Sequence, residues 1–194
     1  GYGSSLRLVQ DSSGDQNALL NAIERVRSPG KHQSPENTPG GLSSSIEKCG
    51  PTGAIQKAIV CLGDSLRSVP GPKTLLFFGW TIGRARVRVP YDRYPEMLEA
   101  IAESQTSVFV FDVSGGSHSL SAGIAQLAAD TGGLYNGGVM DFYNFPDLAR
   151  IRVRQALEGG TYEMVFRSPA TQRGWHRVDV AMRKGRGKAL VQPW

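Results

Sequence analysis

Thr74-Leu75-Leu76-Phe77-Phe78 and Ser107-Val108-Phe109-Val110-Phe111-Asp112 are the two stretches on which the fold turns. Neither alternates apolar and polar residues, as a strand with one wet face would. Both are continuously apolar, the pattern of strands covered on both faces by helices. Between them Tyr94, Met97, Leu98, Ile101 and Ala102 recur at helical spacing, which predicts a connecting helix. Strand, helix, strand in that order forms a right-handed crossover, so the two runs should lie side by side and point the same way.

The alternation continues downstream. Ile124, Leu127 and Ala128 mark a helix closed by Gly132 and Gly133, Leu134-Tyr135 a short strand, and Phe145, Leu148, Ile151 and Leu157 a further helix. Thr161 to Phe166 and Trp175 to Met182 then alternate apolar and polar around a Ser168 to Gly174 turn region, which reads as an antiparallel hairpin. Ala189 to Val191 is a candidate edge strand. Upstream, Leu6 to Val9 reads as a short strand. Ser13 or Asp15 can cap a helix carrying Leu19, Leu20, Ile23 and Val26, stopped by Ser28-Pro29-Gly30. From there to Gly50 the residues are rich in Pro, Gly, Ser and Asn and predict a long exposed loop, a candidate interaction loop. Thr52 should cap a helix with Ile55, Ala58, Ile59, Leu62 and Leu66 on one face, ended by Pro70-Gly71-Pro72. The whole reads as one α/β domain over 1–194: a doubly wound, mostly parallel sheet flanked by helices, with 160–194 a C-terminal hairpin extension.

A chain of 194 residues with 40% hydrophobic content is long enough for one substantial core. Lys and Arg number 22 against 17 Asp and Glu, a net +5 that falls short of a nucleic-acid-binding composition. No apolar run reaches the roughly 18 residues of a membrane-spanning helix. Gly1 to Ser5, without an initiating Met, reads like the middle of a loop and suggests a processed or incomplete chain. Cys49 and Cys61 permit one disulfide in an oxidising compartment. A helix starting near Thr52 would put Cys61 about 13 Å along it, whereas bridged Cα atoms lie about 5 to 6 Å apart, so two buried thiols are the alternative.

Motifs for catalysis are missing. Gly71-Pro72-Lys73-Thr74 imitates a phosphate-binding loop, but proline interrupts it and a helix precedes the strand where the motif needs the reverse. There is no Gly-x-Ser-x-Gly elbow, and His32, His118 and His176 are scattered. Asp112 is the one acid at a strand's carboxyl end, where open α/β sheets bind ligands. Its context, Asp112-Val113-Ser114-Gly115-Gly116-Ser117, offers oxygen ligands to a hard cation or, alternatively, a turn in which Asp and Ser bond their own backbone. With no nucleophile and base to place together, an enzyme is not expected, and neither is a cofactor.

Several segments in order resemble the von Willebrand factor type A domain, in particular its bacterial secreted VWFA-related subgroup. They are Leu8-Val9-Gln10-Asp11 leading into Ala18-Leu19-Leu20-Asn21-Ala22-Ile23, Pro51-Thr52-Gly53-Ala54-Ile55, Val69 to Phe78, Val108 to Asp112, Leu127-Ala128-Ala129-Asp130-Thr131-Gly132-Gly133, and the closing Tyr162 to Trp194. The resemblance implies a divalent metal at the carboxyl end of the sheet, held by an Asp-x-Ser-x-Ser motif after the first strand, a threonine, and an aspartate after the fourth strand. Thr52 stands where the threonine would be, but Gly79 or Trp80 replaces the aspartate, and the first strand with its motif and helix is not in these residues. The metal site is therefore degenerate and no metal is expected. The family's first strand is central. Without it, the runs at 74–78 and 107–111 would each lack a neighbour on one side, so an N-terminal extension or a strand from another chain is expected to fill the gap.

Two functions follow as expectations. The resemblance implies a non-catalytic recognition or scaffold subunit of an exported complex, periplasmic, cell-surface or secreted. It would bind another protein chain largely without metal, through Thr52, Gly79, Trp80, Asp112 and Ser114. The alternative is a module for a polyanion such as nucleic acid, acidic polysaccharide or anionic lipid. Its residues would be Arg84, Arg86 and Arg88, which fall on one face of an extended segment, and the tail Arg183, Lys184, Arg186 and Lys188.

Overall fold

The computed structural model describes Leu6, residues 8–27, 41–82, 93–114 and 121–137, and singly Asp147, Arg150, Ile151, Arg154, Val180 and Arg183. The elements are α1 (Gln16–Arg27), α2 (Leu42–Glu47), α3 (Ile55–Leu66), β1 (Lys73–Gly79), α4 (Tyr94–Glu103), β2 (Thr106–Asp112), α5 (Ser121–Asp130) and β3 (Tyr135–Asn136). The strands form one sheet in the order β1-β2-β3. β2 and β3 are parallel, with Val110 opposite Tyr135 and Phe111 opposite Asn136. The Lys73 amide donates to the Gln105 carbonyl (2.8 Å) ahead of β2, and the Val113 amide, just past β2, donates to the Gly79 carbonyl (3.2 Å). Start thus meets start and end meets end, so β1 and β2 point the same way, as their continuous apolar runs predict. The chain is α/β with a small parallel sheet.

The expected hairpin at 161–182 and the strand at 189–191 lie outside the described residues. Of the helix expected around 145–157, Asp147, Arg150, Ile151 and Arg154 have helical backbone and the rest lies outside them. At the other end, Leu6 forms a single bridge and Leu8 and Val9 have no regular strand structure, so among the described residues the strand expected there is not formed beyond that bridge.

Contacts gather the chain into two compact units, Gly1–Lys73 with Val89–Thr106, and Thr74–Arg88 with Ser107–Trp194. In the first, α3 and α4 pack closely: a Cβ on Gly63 would lie 2.8 Å from the carbonyl carbon and oxygen of Ala100. Only glycine lets the two backbones approach so far. Ala58 and Ile59 of α3 and Met97, Ala100 and Ile101 of α4 are buried, and an ion pair between Arg67 and Glu103 closes one end. Both partners of that pair are exposed, so it adds little stability.

α1 begins where expected, with the Asp15 carboxylate accepting the Asn17 amide at 2.8 Å. Its leucine face behaves differently. Leu19, Leu20, Ile23 and Val26 are exposed, whereas Ala22 is buried and Arg25 donates to the Val9 carbonyl and the Gln10 side chain. Helical spacing locates the helix but not the side by which it docks.

The long loop expected between Ser28 and Gly50 contains α2. The run Leu42-Ser43-Ser44-Ser45-Ile46-Glu47 has little intrinsic helix preference. Support comes from elsewhere: the buried Asp11 carboxylate accepts the Leu42 amide at 3.3 Å and the Ser12 amide at 2.7 Å, capping α2 from 31 residues away. α3 begins at Ile55 with Ala54 as its N-cap, so Thr52 is not the cap expected of it. The chain turns into α3 through Gly50 and Gly53, both at positive φ. α2 thereby lies along α3, and Cys49 and Cys61 are joined as a disulfide with Cα atoms 6.1 Å apart. The 13 Å expectation assumed that Cys49 lay beyond the helix start, but the turn brings it back beside the helix.

In the second unit, β2 is the core strand. Val108, Phe109, Val110 and Phe111 are buried, as are Ile124, Leu127 and Ala128 of α5, and the Phe78 ring stacks on Phe111 with centroids 4.9 Å apart. Sequence reasoning left both apolar strands short of a neighbour. Instead β2 has one on each side, and β1 and β3 are the edges among the described residues.

The Leu-Ala-x-x-Thr-Gly-Gly run has a structural explanation. Gly133 N–H donates to the Ala128 carbonyl and Gly132 N–H to that of Ala129, the paired bonds of a Schellman helix end, with Gly132 at φ +69°. Buried Thr131 Oγ1 accepts the Val108 amide at 3.1 Å and donates to the Leu127 carbonyl at 2.8 Å, tying α5 to β2. A Cβ on Gly133 would meet the Val108 carbonyl oxygen.

Two substitutions test this account. Gly133→Ala is expected to lower the unfolding free energy by about 3 kcal/mol, because overpacking against backbone cannot relax cheaply. An unchanged urea midpoint would contradict the close approach. Replacing Cys49 and Cys61 together by Ser is expected to remove about 3 kcal/mol by releasing the closed loop in the unfolded chain. A wild-type midpoint that dithiothreitol leaves unmoved would contradict the bridge.

Candidate functional site

β1 and β2 end together, coupled by the Val113 to Gly79 hydrogen bond, and the chain leaves β1 through Trp80. Trp80 is 53% exposed, Phe78 54% and Val113 40%, an apolar group at the carboxyl ends of two parallel strands. Ile82, two residues past Trp80, is fully buried and anchors the outgoing chain. A Cβ at Gly79 would lie 2.7 Å from the Phe77 ring. Glycine therefore leaves Phe77 room to lie against the strand end, and an aspartate there would have to displace the ring.

Asp112 ends β2 and is 3% exposed. Oδ1 accepts the Ser114 amide at 2.9 Å, an Asx-turn, while Oδ2 accepts the Ser121 hydroxyl at 2.7 Å and the Tyr135 hydroxyl at 2.8 Å. This one carboxylate thus joins the end of β2, the first residue of α5 and the first residue of β3. Burial by itself would raise its pKa, but the hydrogen bonds from Ser114, Ser121 and Tyr135 outweigh burial and hold the carboxyl below its ordinary value. Burial, together with the adjacent Asp112 charge, pushes the Tyr135 phenol up.

That donor set does not fit a divalent cation. Three of the roughly four lone-pair positions of Asp112 are taken by protein donors. Among the described residues no three His, Cys, Asp or Glu side chains come together. The Asx-turn read for Asp112-x-Ser114 is formed, through the Ser114 amide.

Of the residues singled out in sequence, Gly79, Trp80, Asp112 and Ser114 belong to the second unit, and Thr52 belongs to the first. Thr52 is buried, its carbonyl accepts the Ala54 amide at 2.7 Å, and its Oγ1 has no hydrogen-bond partner. The α3 N-terminus beside it carries no side-chain cap. Lys73, in the imitation of a phosphate loop, donates Nζ to the Val69 and Gly71 carbonyls at 2.6 Å each, so it closes the α3 exit. Its pKa is lowered by burial. Arg183 is exposed, whereas Arg84, Arg86, Arg88, Lys184, Arg186, Lys188 and the three histidines lie outside the described residues.

Sequence reasoning missed Ser121 and Tyr135, the partners of Asp112, and Asp11, the distant cap. Ser121 carried a signal, as a hydroxyl residue at the start of a predicted helix. Tyr135 and Asp11 act through contacts that no local pattern encodes. No protein-family profile, curated protein or solved structure matches the chain.

The Asp112 network predicts an acid-sensitive stability. A carboxyl whose folded pKa is depressed stabilises the fold fully above its unfolded value of about 3.9, and that contribution is lost as pH falls through the lower folded value. Asp112→Asn should unfold more easily than wild type at pH 6, with the gap narrowing as pH falls below 4. A gap independent of pH would show that the Asp112 charge is not what holds these three elements.

Proposed function

We propose that this chain is a non-catalytic recognition or scaffold module of a protein complex outside the cytoplasm. Its sheet would be doubly wound, in the manner of a von Willebrand factor type A domain, and would bind another protein chain without metal. The observation that carries this reading is the exposed Trp80 with Phe78 and Val113 at the carboxyl ends of β1 and β2, the position where open α/β sheets take ligands. Tryptophan buries a large area and keeps one hydrogen-bond donor, which suits an interface anchor. The Asp112 carboxylate is committed to internal donors, so this rim offers aromatic surface and backbone groups to a partner. The Cys49–Cys61 bridge supports an oxidising compartment. Thr52 and Ser114 enter the reading through the resemblance, and no observation among the described residues favours the polyanion alternative.

Affinity capture from the native source, with wild type and Trp80→Ala side by side, tests the reading. The same partner chain should be retained with and without EDTA and should lose little affinity between low and moderate salt. Trp80→Ala, with unchanged circular dichroism, should weaken it by about tenfold or more. Loss of the partner on adding EDTA would overturn metal independence, steep salt dependence would favour a polyanion, and full retention by Trp80→Ala would move the interface elsewhere.

A further inference from the structure

In the first unit, the exit of α3 and the end of α4 border a cavity of about 280 Å³, whose lining includes Arg67, Lys73, Glu103 and Gln105. Its charges are not paired off one to one. Arg67 is shared by two carboxylates, Asp64 at 3.1 Å and Glu103, which leaves that group with one negative charge in surplus. Lys73 holds the opposite surplus. Its ammonium donates to the Val69 and Gly71 carbonyls at 2.6 Å each and, among the described residues, forms no ion pair. Those neutral acceptors fix the cation in place and occupy two of its three N–H donors, so one remains for a ligand.

A second observation lies in the backbone. Gln105 is the one non-glycine residue at positive φ, +54°, among those described. It follows the last turn of α4, a position where glycine is the ordinary choice because it adopts this conformation freely. Glutamine there costs free energy, and its side-chain amide makes no hydrogen bond among the described residues that would offset the cost. Strain of this kind gathers at ligand clamps.

We propose that this cavity binds a small zwitterion with the chemistry of a free α-amino acid. Its carboxylate accepts from Lys73 Nζ and the Gln105 amide, and its ammonium donates to Glu103. Charge selects that class, since a simple anion would meet Glu103 and a simple cation would meet Lys73. The volume lies just below the range of about 300 to 1,000 Å³ typical of sites for drug-sized ligands, as suits a smaller molecule. A few charge-assisted hydrogen bonds beside water give modest binding, with a dissociation constant on the order of 100 μM. No residue of the Trp80 rim takes part.

Titration of the full chain with each of the common amino acids in turn, followed by ¹H–¹⁵N NMR, tests the proposal. At least one should bind and shift the Lys73 and Gln105 resonances. Analogues of that amino acid lacking the ammonium or lacking the carboxylate should each bind about tenfold more weakly or worse. Gln105→Gly should keep or raise the urea midpoint and yet weaken binding by about tenfold, a combination that a purely structural role would not produce. Lys73→Met should weaken it likewise, and if that variant does not fold, Gln105→Gly decides. No binding by any amino acid up to about 10 mM overturns the proposal. So does an ammonium-free analogue that binds as well as its parent, or full affinity in Gln105→Gly. Trp80→Ala should bind as wild type does, so failure here and failure of the rim reading are seen separately.

Discussion

Backbone hydrogen bonds from Lys73 to Gln105 at one end and from Val113 to Gly79 at the other bracket the pairing of β1 and β2 as parallel neighbours. Everything at the carboxyl rim depends on that pairing. Because the strands run together, Trp80 and the Asp112 turn emerge at the same end of the sheet. Parallel pairing of strands joined through α4 also fixes a crossover connection, since a short hairpin cannot join parallel neighbours. Continuous apolar sequence and parallel direction are two sides of one requirement.

On the other side of β2, the sheet is extended by unusual means. β3 contributes only two residues, and the Val108 amide is satisfied by the Thr131 hydroxyl. Thr131 thus does for β2 what a longer neighbouring strand would do, and Gly133 makes the approach close enough. One turn beyond, the Asp112 carboxylate gathers Ser114, Ser121 and Tyr135. A buried charge is tolerable only when its oxygens are met by donors, and here three groups from three segments meet them. The end of the sheet at which Phe78, Trp80 and Val113 are exposed is therefore also the end that this polar knot organises.

The parts that proved legible in sequence are those encoded by local chemistry. The apolar runs gave β1 and β2, helical spacing gave α1, α3, α4 and α5, and paired glycines gave the end of α5. Asp15 announced the start of α1, and Asp112 stood out by position. What escaped depends on contacts between distant residues. α2 is invisible because three serines argue against a helix until Asp11 caps it. The disulfide geometry escaped because a turn built on two positive-φ glycines reverses the chain before α3. The apolar stripe of α1 misled because periodicity reports amphipathicity and not which side is covered. The first two are tertiary effects acting on sequences whose local preference is weak, which is where pattern reasoning has least purchase.

The cap that Asp11 supplies to α2 has a bearing on how the first unit assembles. A six-residue helix cannot sustain itself in an unfolded chain, since nucleation outweighs the few hydrogen bonds it gains. α2 can thus form only after the chain has closed a long loop to bring the Asp11 carboxylate to the Leu42 amide. The Cys49–Cys61 bridge, between residues only 12 apart in sequence, holds the chain just past the other end of α2. α2 is therefore held at its start by a distant carboxylate and just past its end by a covalent bond, neither of which its own six residues encode.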